Sequence, residues 1–466
     1  MFDTIPVEVG LVHEGERVRR NDMHLELGGP SVQEKFEIVR VRPVDMIADG
    51  VTNIIGSDLN MMEEGKSYPI GILVEVGGSK IEPDLEGVIE RRIHEYFNYI
   101  EGLMHLNQRY DIWIRLSKKS YKKGLTSLRF IGSVMHELFK NELPIIEKIQ
   151  ITFITDPEKI HPLYLEALAA YEARDARARG LADESVDTFY GCALCQSFAP
   201  THVCVITPQR YANCGAISWF DGRAAAGIDP KGPIFPIAKG DCIDAEKGEY
   251  TGVNESAKKR SMGDVNRVYL YSAFGYPHTS CGCFEGIAFY IPEVDGFGIV
   301  LRGFSQPTVN GLAFSTMADS TAGGRQVDGF HGISVEYMRS QKFMHADGGY
   351  NRVVWMPQET KERLRQFIPE TVYPAIATEN EVKNIPDLKK FLEDNNHPVK
   401  ARWETSTSGS ADRMNRPLPV FSAGDIPMNV GGFRIILKNA KITAEKVIIL
   451  PVRPDGQEGG EQSGSQ

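Results

Sequence analysis

The 466-residue sequence contains no run of about 18 apolar residues, so no membrane-spanning helix is expected. Its first residues, MFDTIPVEVGLVHEGERVRRND, mix acids and bases early. They lack the basic start and apolar stretch of a secretion signal, which makes the cytoplasm the expected location. An excess of positive charge is missing too: the formal balance is −10. That argues against general binding to nucleic acid or to an anionic membrane. A small anionic ligand needs only a local basic patch and stays open. No internal repeat is present. Cysteine is scarce and unevenly placed. All seven, Cys192, Cys195, Cys204, Cys214, Cys242, Cys281 and Cys283, lie between residues 192 and 283. An odd, clustered set in a reducing compartment points to metal ligation before disulfides.

What is present suits an ordinary globular chain. Hydrophobic residues make up 42% and charged residues 24%, enough to form a large core without disulfide staples. The length suits two or three domains. Residues 1–80 read as short strands and turns. Leu85, Val88, Ile89, Ile93, Tyr96, Phe97, Ile100 and Met104 recur at three-to-four spacing, predicting a helix from Asp84 to His105 with Asp84 as its N-cap. Ile112, Ile114 and Leu116 alternate as in a half-buried strand, and Ile149, Ile151 and Phe153 do the same. Helices are predicted over 126–141 and 158–180. This alternation predicts a mixed α/β domain over 1–185, closed by the acidic segment LADESVD at 181–187.

The cysteine-bearing region, 186–455, reads as an α+β metal-cluster domain, giving a fold class of α/β followed by α+β. Short strands are predicted at 202–206, 268–274, 286–291 and 296–302, the last two joined as a hairpin through Glu293–Gly296. Residues 433–438 and 446–453 read as an apolar pair about Asn439-Ala440. The tail, 456–466, has almost no apolar residues and is expected to be disordered.

Cys192-x2-Cys195-x8-Cys204-x9-Cys214 supplies four thiolates, the set taken by a tetrahedral zinc or an iron–sulfur cube. Spacing alone favours neither. Gly191 and Gly215 flank the set and let backbone approach closely. In Cys281-Gly282-Cys283 the two thiols are too close for a relaxed disulfide. With the amides of Gly282 and Cys283, once these lose their protons, they can offer two sulfurs and two nitrogens in a plane, which suits Ni(II) or Cu(II) over Zn(II). As an isolated tripeptide it reads more readily as a loop with incidental thiols; beside the four-cysteine set that order reverses. Cys242 belongs to neither group and is expected to be a packed, non-ligating thiol. His202 and His278 lie near the cysteines in sequence, and neither is assigned a role.

These intervals, with GCALCQSFAPTHVCVITPQR, YPHTSCGCFEGIAFYIPEVDGFGIV, STAGGRQVDGFHGI and FRIILKNAKITAEKVIILPVR, resemble the nickel–iron acetyl-CoA synthases. The likeness covers most of the chain and is strongest over 186–335. The start of the chain resembles the shorter archaeal form, the beta subunit of the acetyl-CoA decarbonylase/synthase complex, without the extra N-terminal docking domain of the bacterial enzymes. The resemblance implies that Cys192, Cys195, Cys204 and Cys214 hold a [4Fe–4S] cluster. It implies that Cys195 bridges to a proximal nickel. Cys281 and Cys283, with the amides of Gly282 and Cys283, would hold a distal nickel and share their sulfurs with the proximal one. Phe198 matches a family phenylalanine that shapes the small-ligand pocket; on its own it would read as core packing. The implied activity is an acyl transfer that joins a corrinoid-borne methyl group, carbon monoxide and coenzyme A, or the reverse. Implied partners are carbon monoxide dehydrogenase subunits and corrinoid iron–sulfur protein subunits, meeting the chain on surfaces other than the missing docking domain.

Coenzyme A carries phosphates and needs a basic surface. Trp113, Arg115, Lys118 and Lys119, with Lys122, Lys123 and Arg129, form the densest candidate, Trp113 stacking on the adenine. A solvated helix face beside a core tryptophan is the competing reading. Two other classes of protein stay in view. An iron–sulfur electron-transfer subunit leaves Cys281-Gly282-Cys283 idle, and a zinc-stabilised structural module holds zinc and no iron.

Overall fold

The structure, a computed structural model, describes residues 2–106, 112–194, 203–278, 284–321, 326–406, 428–430 and 433–435. The chain divides into two units, 1–418 and 419–466. The first half of the larger unit holds β1 (Met23–Gly28), β2 (Lys35–Val41), β3 (Val51–Ile55), β4 (Ser67–Tyr68), β5 (Ile70–Gly77), α1 (Glu86–Asn98), β6 (Leu103–Leu106), β7 (Trp113–Ser117), α2 (Lys118–Lys122), α3 (Leu128–Glu142), β8 (Lys148–Ile154) and α4 (Pro157–Arg179).

One sheet runs β2-β5-β8-β3. β2 and β5 are parallel, β5 and β8 antiparallel, and β8 and β3 parallel. Period-2 alternation sorts its side chains. Val39, Ile70, Ile72, Val74, Ile149, Ile151 and Phe153 face a core shared with α1 and α3. Phe36, Ile38 and Ile154 face the opposite way and pack on Ile160, Ala167 and Tyr171 of α4. The result is a helix–sheet–helix layering that buries both sheet faces. A second sheet, β4-β1-β7-β6, adds Leu25, Leu27, Leu103, Ile114 and Leu116 to the α1–α3 core. The predicted strands at 112–116 and 149–153 and the helices over 126–141 and 158–180 are all present.

The helix predicted over 84–105 is shorter. α1 stops at Asn98, and Met104 and His105 belong to β6. Asn98 ends the helix by turning its side chain on the backbone. Its Nδ2 donates to the His94 and His105 carbonyls at 2.9 and 3.0 Å, and its Oδ1 accepts from the His105 N–H at 2.9 Å. Gly102, at φ +70°, then reverses the chain into β6. Asp84 caps nothing; it lies in a 3-10 turn, Pro83–Leu85, and accepts from Arg177 and Arg223.

The remainder of this unit contains β9 (Thr188–Cys192), β10 (Cys204–Ile206), α5 (Trp219–Ile228), β11 (Ile234–Ala238), β12 (Cys242–Asp244), β13 (Glu249–Tyr250), α6 (Thr251–Arg260), β14 (Gly286–Ile291), β15 (Gly296–Leu301), β16 (Phe330–Ile333) and β17 (Val353–Trp355). β9 is the central strand of β10-β9-β11. β14 and β15 form the predicted antiparallel hairpin inside β16-β14-β15-β17, with Asp295 at φ +48° in the connection.

Residues 268–274 are not a strand. Val268, Leu270, Tyr271 and Ala273 are buried, but their backbone is irregular and is satisfied piecemeal. The Leu270 carbonyl accepts from Arg210 Nε and Tyr337 Oη, and the Tyr271 N–H donates to the Lys247 carbonyl. In the smaller unit, β18 (Met428–Val430) pairs with β19 (Phe433–Ile435). The described partner of the 433–438 segment is therefore 428–430. Residues 446–453 and the tail lie outside the described residues.

Candidate metal centre

β9 places Cys192 at its end, and β10 opens on Cys204 directly opposite. A register pair shares one sheet face, so both thiols project to the same side. Cys192 is locked from both edges, because it also pairs with Ile234 of β11. Its surroundings are apolar: Ile206, Ala212, Ile217 and Ile234 are buried with it, and Cys204 and Cys214 pack against the same group. The Asn213 N–H points at Cys204 Sγ at 3.5 Å, a donor that favours a thiolate.

Cys214 sits in a tight turn, with the Gly215 N–H bonded to the Ala212 carbonyl at 2.8 Å. Gly215 has φ +76°, and a Cβ there would lie 2.2–2.4 Å from the Glu285 carboxylate. The turn needs glycine on both counts. Glu285 in turn donates its N–H to the Asn213 carbonyl at 2.8 Å and accepts from the Val335 N–H at 2.6 Å. Upstream of the second motif, His278 is buried, and its Nε2 accepts the Val205 N–H at 3.3 Å. That bond gives His278 a backbone-holding role at Nε2, one residue beyond Cys204. The two flanks of Cys281-Gly282-Cys283 are thus pinned beside Cys204 and beside Cys214. Arg302 adds a third tie, donating to the Phe284 carbonyl at 3.3–3.4 Å.

Cys195, Phe198, His202, Cys281, Gly282 and Cys283 lie outside the described residues. Among the described residues no three His, Cys, Asp or Glu side chains converge on a metal position. Cys192, Cys204 and Cys214 are the three described cysteines of the four-cysteine set expected from the sequence. A register-paired thiol couple, a third thiol on the same apolar group and an N–H aimed at sulfur make a donor set that fits a sulfur-ligated cluster. Cys242 is not packed as predicted. It is exposed, because β12 is a three-residue strand paired on one side with β13.

The basic candidate residues fall into two linked groups. Trp113 and Arg115 share one face of β7 and one partner, Glu26 Oε2, which accepts from Trp113 Nε1 and from Arg115 Nε at 2.9 Å. The Arg115 guanidinium lies 4.2 Å from the Trp113 ring centroid. Lys118, Lys119 and Lys122 line a cavity of about 520 Å³ together with Arg17, Val18 and Glu101. Arg115 reaches it by donating to the Val18 carbonyl at 3.2 Å. The lysines hold ion pairs: the partly exposed Lys118 with the exposed Glu64 at 2.8 Å, and the exposed Lys119 and Lys123 with the buried Glu101 at 2.9 and 2.6 Å. Hydrogen bonds from Lys123 and Lys119 pull the Glu101 carboxyl down to about 2. Arg129 stands apart from the cavity, bonded to the Thr52 carbonyl.

Family models describe the two halves separately. The model for the CO dehydrogenase/acetyl-CoA synthase complex beta subunit matches residues 5–160, and the model for the C-terminal part of the ACS/CODH beta subunit matches 171–403. The acetyl-CoA decarbonylase/synthase complex subunit beta of Methanothermobacter thermautotrophicus is 51% identical, over 96% of this chain and 99% of that protein. This chain belongs to the acetyl-CoA decarbonylase/synthase beta-subunit family. Subunit beta 2 of Methanocaldococcus jannaschii is 52% identical, over 96% of this chain and 97% of that protein. Among solved structures, the C-terminal domain of an acetyl-coenzyme A synthase alpha subunit is 36% identical and covers 26% of this chain and 94% of that one, with a TM-score of 0.24.

Sequence reasoning had named every cysteine of this family member. It missed Asn213, Glu285 and Arg302, which fix the loops between them. Their one signal was adjacency: Asn213 precedes Cys214, and Glu285 lies two residues after Cys283.

Proposed function

We propose that this chain is an acetyl-CoA synthase and decarbonylase. It assembles acetyl-CoA from a corrinoid-bound methyl group, carbon monoxide and coenzyme A, or takes it apart, as an acyltransferase subunit working with carbon monoxide dehydrogenase and corrinoid iron–sulfur subunits in the cytoplasm. Family membership and the curated names of relatives about half identical to it support this reading. In unit 1–418 no described helix is long and apolar enough to cross a membrane.

The observation that carries the site assignment is the pinning of both flanks of Cys281-Gly282-Cys283. Val205 holds His278, and Asn213 holds Glu285, so the tripeptide is tethered on either side to neighbours of Cys204 and Cys214. In our reading Cys192, Cys195, Cys204 and Cys214 hold a [4Fe–4S] cluster. Cys195, Cys281 and Cys283 hold a proximal nickel, and Cys281 and Cys283 with the amides of Gly282 and Cys283 hold a distal one. A metal group of this kind supplies an electron-rich centre at which a methyl group and carbon monoxide can be joined. The chain's own residues do the rest. The apolar wall of Ile206, Ala212, Ile217 and Ile234 keeps water away from the sulfurs. The Asn213 N–H stabilises negative charge on Cys204 Sγ. Phe198, by its match to the family phenylalanine, would shape the pocket for small ligands. Lys118 and Lys119 exchange their carboxylate partners, Glu64 and Glu101, for the phosphates of coenzyme A, while Arg115 and Trp113 receive its adenine end.

The proposed division at 185/186 has support in the cores. The two clusters around the β2-β5-β8-β3 sheet draw on residues up to 171, with Ala224 and Ala225 as the exceptions. The clusters around the cysteines and the β14–β15 hairpin draw on residues from 186 onward, apart from Val88.

Anaerobic metal analysis beside a carbonyl-exchange assay tests the function. The reading expects about four irons and about two nickels per chain, by ligand count. Exchange of labelled carbon monoxide into acetyl-CoA should rise with nickel content. Iron without nickel in fully active material would replace this reading with the electron-transfer one.

A further inference from the structure

Arg210 is a fully buried guanidinium. It follows β10 in the turn Thr207–Arg210, closed by Arg210 N–H to the Thr207 carbonyl at 3.2 Å and Thr207 N–H to the Arg210 carbonyl at 2.9 Å. The turn sends the side chain back along the strand. Nη1 donates to the Val205 carbonyl at 3.3 Å, Nε to the Leu270 carbonyl at 3.1 Å, and Nη2 to His331 Nε2 at 3.1 Å. The Tyr337 ring lies 5.1 Å away. All of these partners are neutral. Burial, then the Arg210 charge, holds the His331 pKa well down, so the imidazole stays uncharged.

A guanidinium stays charged at neutral pH even when buried. A buried charge without a counter-charge is among the most costly features a fold can carry. Among the described residues Asp183 is the one carboxylate of this network, and its oxygens are committed elsewhere. It accepts from Thr207 Oγ1 at 2.8 Å, from the Gln209 N–H at 2.7 Å and from Tyr271 Oη. No described residue forms an ion pair with Arg210 within 4 Å. The strand it grips at Val205 begins at Cys204, whose sulfur already accepts the Asn213 N–H.

We propose that Arg210 is a built-in counter-ion for the four-cysteine cluster: a positioning residue that offsets thiolate charge from behind Cys204 and makes electron uptake by the cube easier. This rests on the iron–sulfur reading of Cys192, Cys195, Cys204 and Cys214. Burial pulls the Arg210 pKa down. Tyr337, then Cys204, then Tyr271 and Asp183 oppose that pull, in that order. Burial keeps both tyrosines protonated, and the Val205 carbonyl that Arg210 grips is next to Cys204 in the strand. The three nitrogens of Arg210 bind two carbonyls and a neutral imidazole, so negative charge on a bound cluster would compensate it. On reduction by one electron the cube gains a negative charge, and a nearby fixed cation favours that state.

The test uses the full chain, reconstituted anaerobically with iron and sulfide and no nickel. Iron per chain is measured, and the cube is titrated with titanium(III) citrate, the electron donor, while electron paramagnetic resonance follows the reduced form. Thermal melting of the iron-free chain is the third readout. Arg210→Gln should make reduction about ten- to a hundredfold less favourable, a fall of about 60–120 mV at about 59 mV per tenfold. Arg210→Lys, which keeps the charge but loses the fork, should shift the potential by less than about threefold. The iron-free Arg210→Gln chain should melt at or above the parent temperature, since an uncompensated buried charge is gone. Equal potential shifts for Gln and Lys, or an unchanged potential with a lower iron-free melting point for both, would make Arg210 purely structural and overturn the proposal. If Arg210→Gln does not fold, Arg210→Met removes the charge without burying an amide and is read the same way. Failure of the parent chain itself to take up a cube would instead sink the four-cysteine reading on which this rests.

Discussion

Around Cys192 and Cys204, positions are set by backbone hydrogen bonds inside a buried three-stranded sheet. Around Lys118 and Lys119, they are set by ion pairs on side chains that are 41% and 73% exposed. The first region holds its groups by register, which a single change either keeps or destroys. The second holds them by screened charges worth little individually, which can trade partners. A metal ligand needs the first kind of placement. A diphosphate-bearing substrate that comes and goes is better served by the second.

The largest effects should separate the two regions outright. Cys195→Ala and Cys204→Ala should each lower acetyl transfer by more than about a hundredfold, exceeding the roughly 10–100-fold cost of losing an outer-shell partner. Iron content should fall with activity. Cys242→Ala, on an exposed strand, should leave both unchanged. If Cys242→Ala does more damage than Cys195→Ala in a side-by-side assay, the ligand assignment is wrong.

A smaller, graded loss is expected at the cavity. Lys118→Ala and Lys119→Ala should each raise the KM for coenzyme A about three- to tenfold, with kcat and iron content unchanged. The difference should shrink as salt rises, because the groups are exposed. A salt-independent loss of kcat would place these lysines in the chemistry and blur the contrast.

The smallest effects are in pH, and they have opposite signs in the two regions. Asp221, which completes the capping box of α5 by accepting the Ser218 N–H and also accepts the Gly87 N–H at 3.1 Å, is pushed up to about 6 by burial. A raised carboxyl favours the folded state below its unfolded value of 3.8, and that contribution is lost as pH rises through about 6. Glu101, beside the cavity, is lowered from 4.5 to about 2. Its contribution is present above 4.5 and is lost as pH falls through about 2. Denaturant titrations across pH 2–7 should therefore show Asp221→Asn flattening the decline between about 4 and 6, and Glu101→Gln flattening the rise between about 2 and 4.5. Glu101 is buried, but its partners Lys119 and Lys123 are 73% and 42% exposed, so screening keeps the effect small. Identical profiles for both variants would contradict the opposite shifts of the two groups.

Much of this was legible in the sequence because it rests on local periodicity or on chemistry that few residue types supply. The alternation in β7 and β8, the hairpin of β14 and β15 and the cysteine intervals all belong to that class. What escaped has a common cause. The early end of α1 depends on Asn98 bonding residues on both sides of the turn. The irregular 268–274 segment looks like a strand because it is apolar, yet its backbone is satisfied by Arg210 and Tyr337 from far along the chain. Long-range side-chain-to-backbone bonds leave no period to read. The same holds for His278 and Glu285, whose roles appear only when their distant partners are in place.

The central claim is that the four-cysteine set and Cys281-Gly282-Cys283 build one shared centre. Nickel K-edge absorption on the anaerobically loaded chain addresses it directly. A planar nitrogen–sulfur nickel environment, together with a metal scatterer just beyond the sulfur shell that disappears in Cys195→Ala, is the predicted spectrum. Nickel coordinated by light atoms and sulfur alone, unaffected by that substitution, would mean that the two motifs hold separate metals.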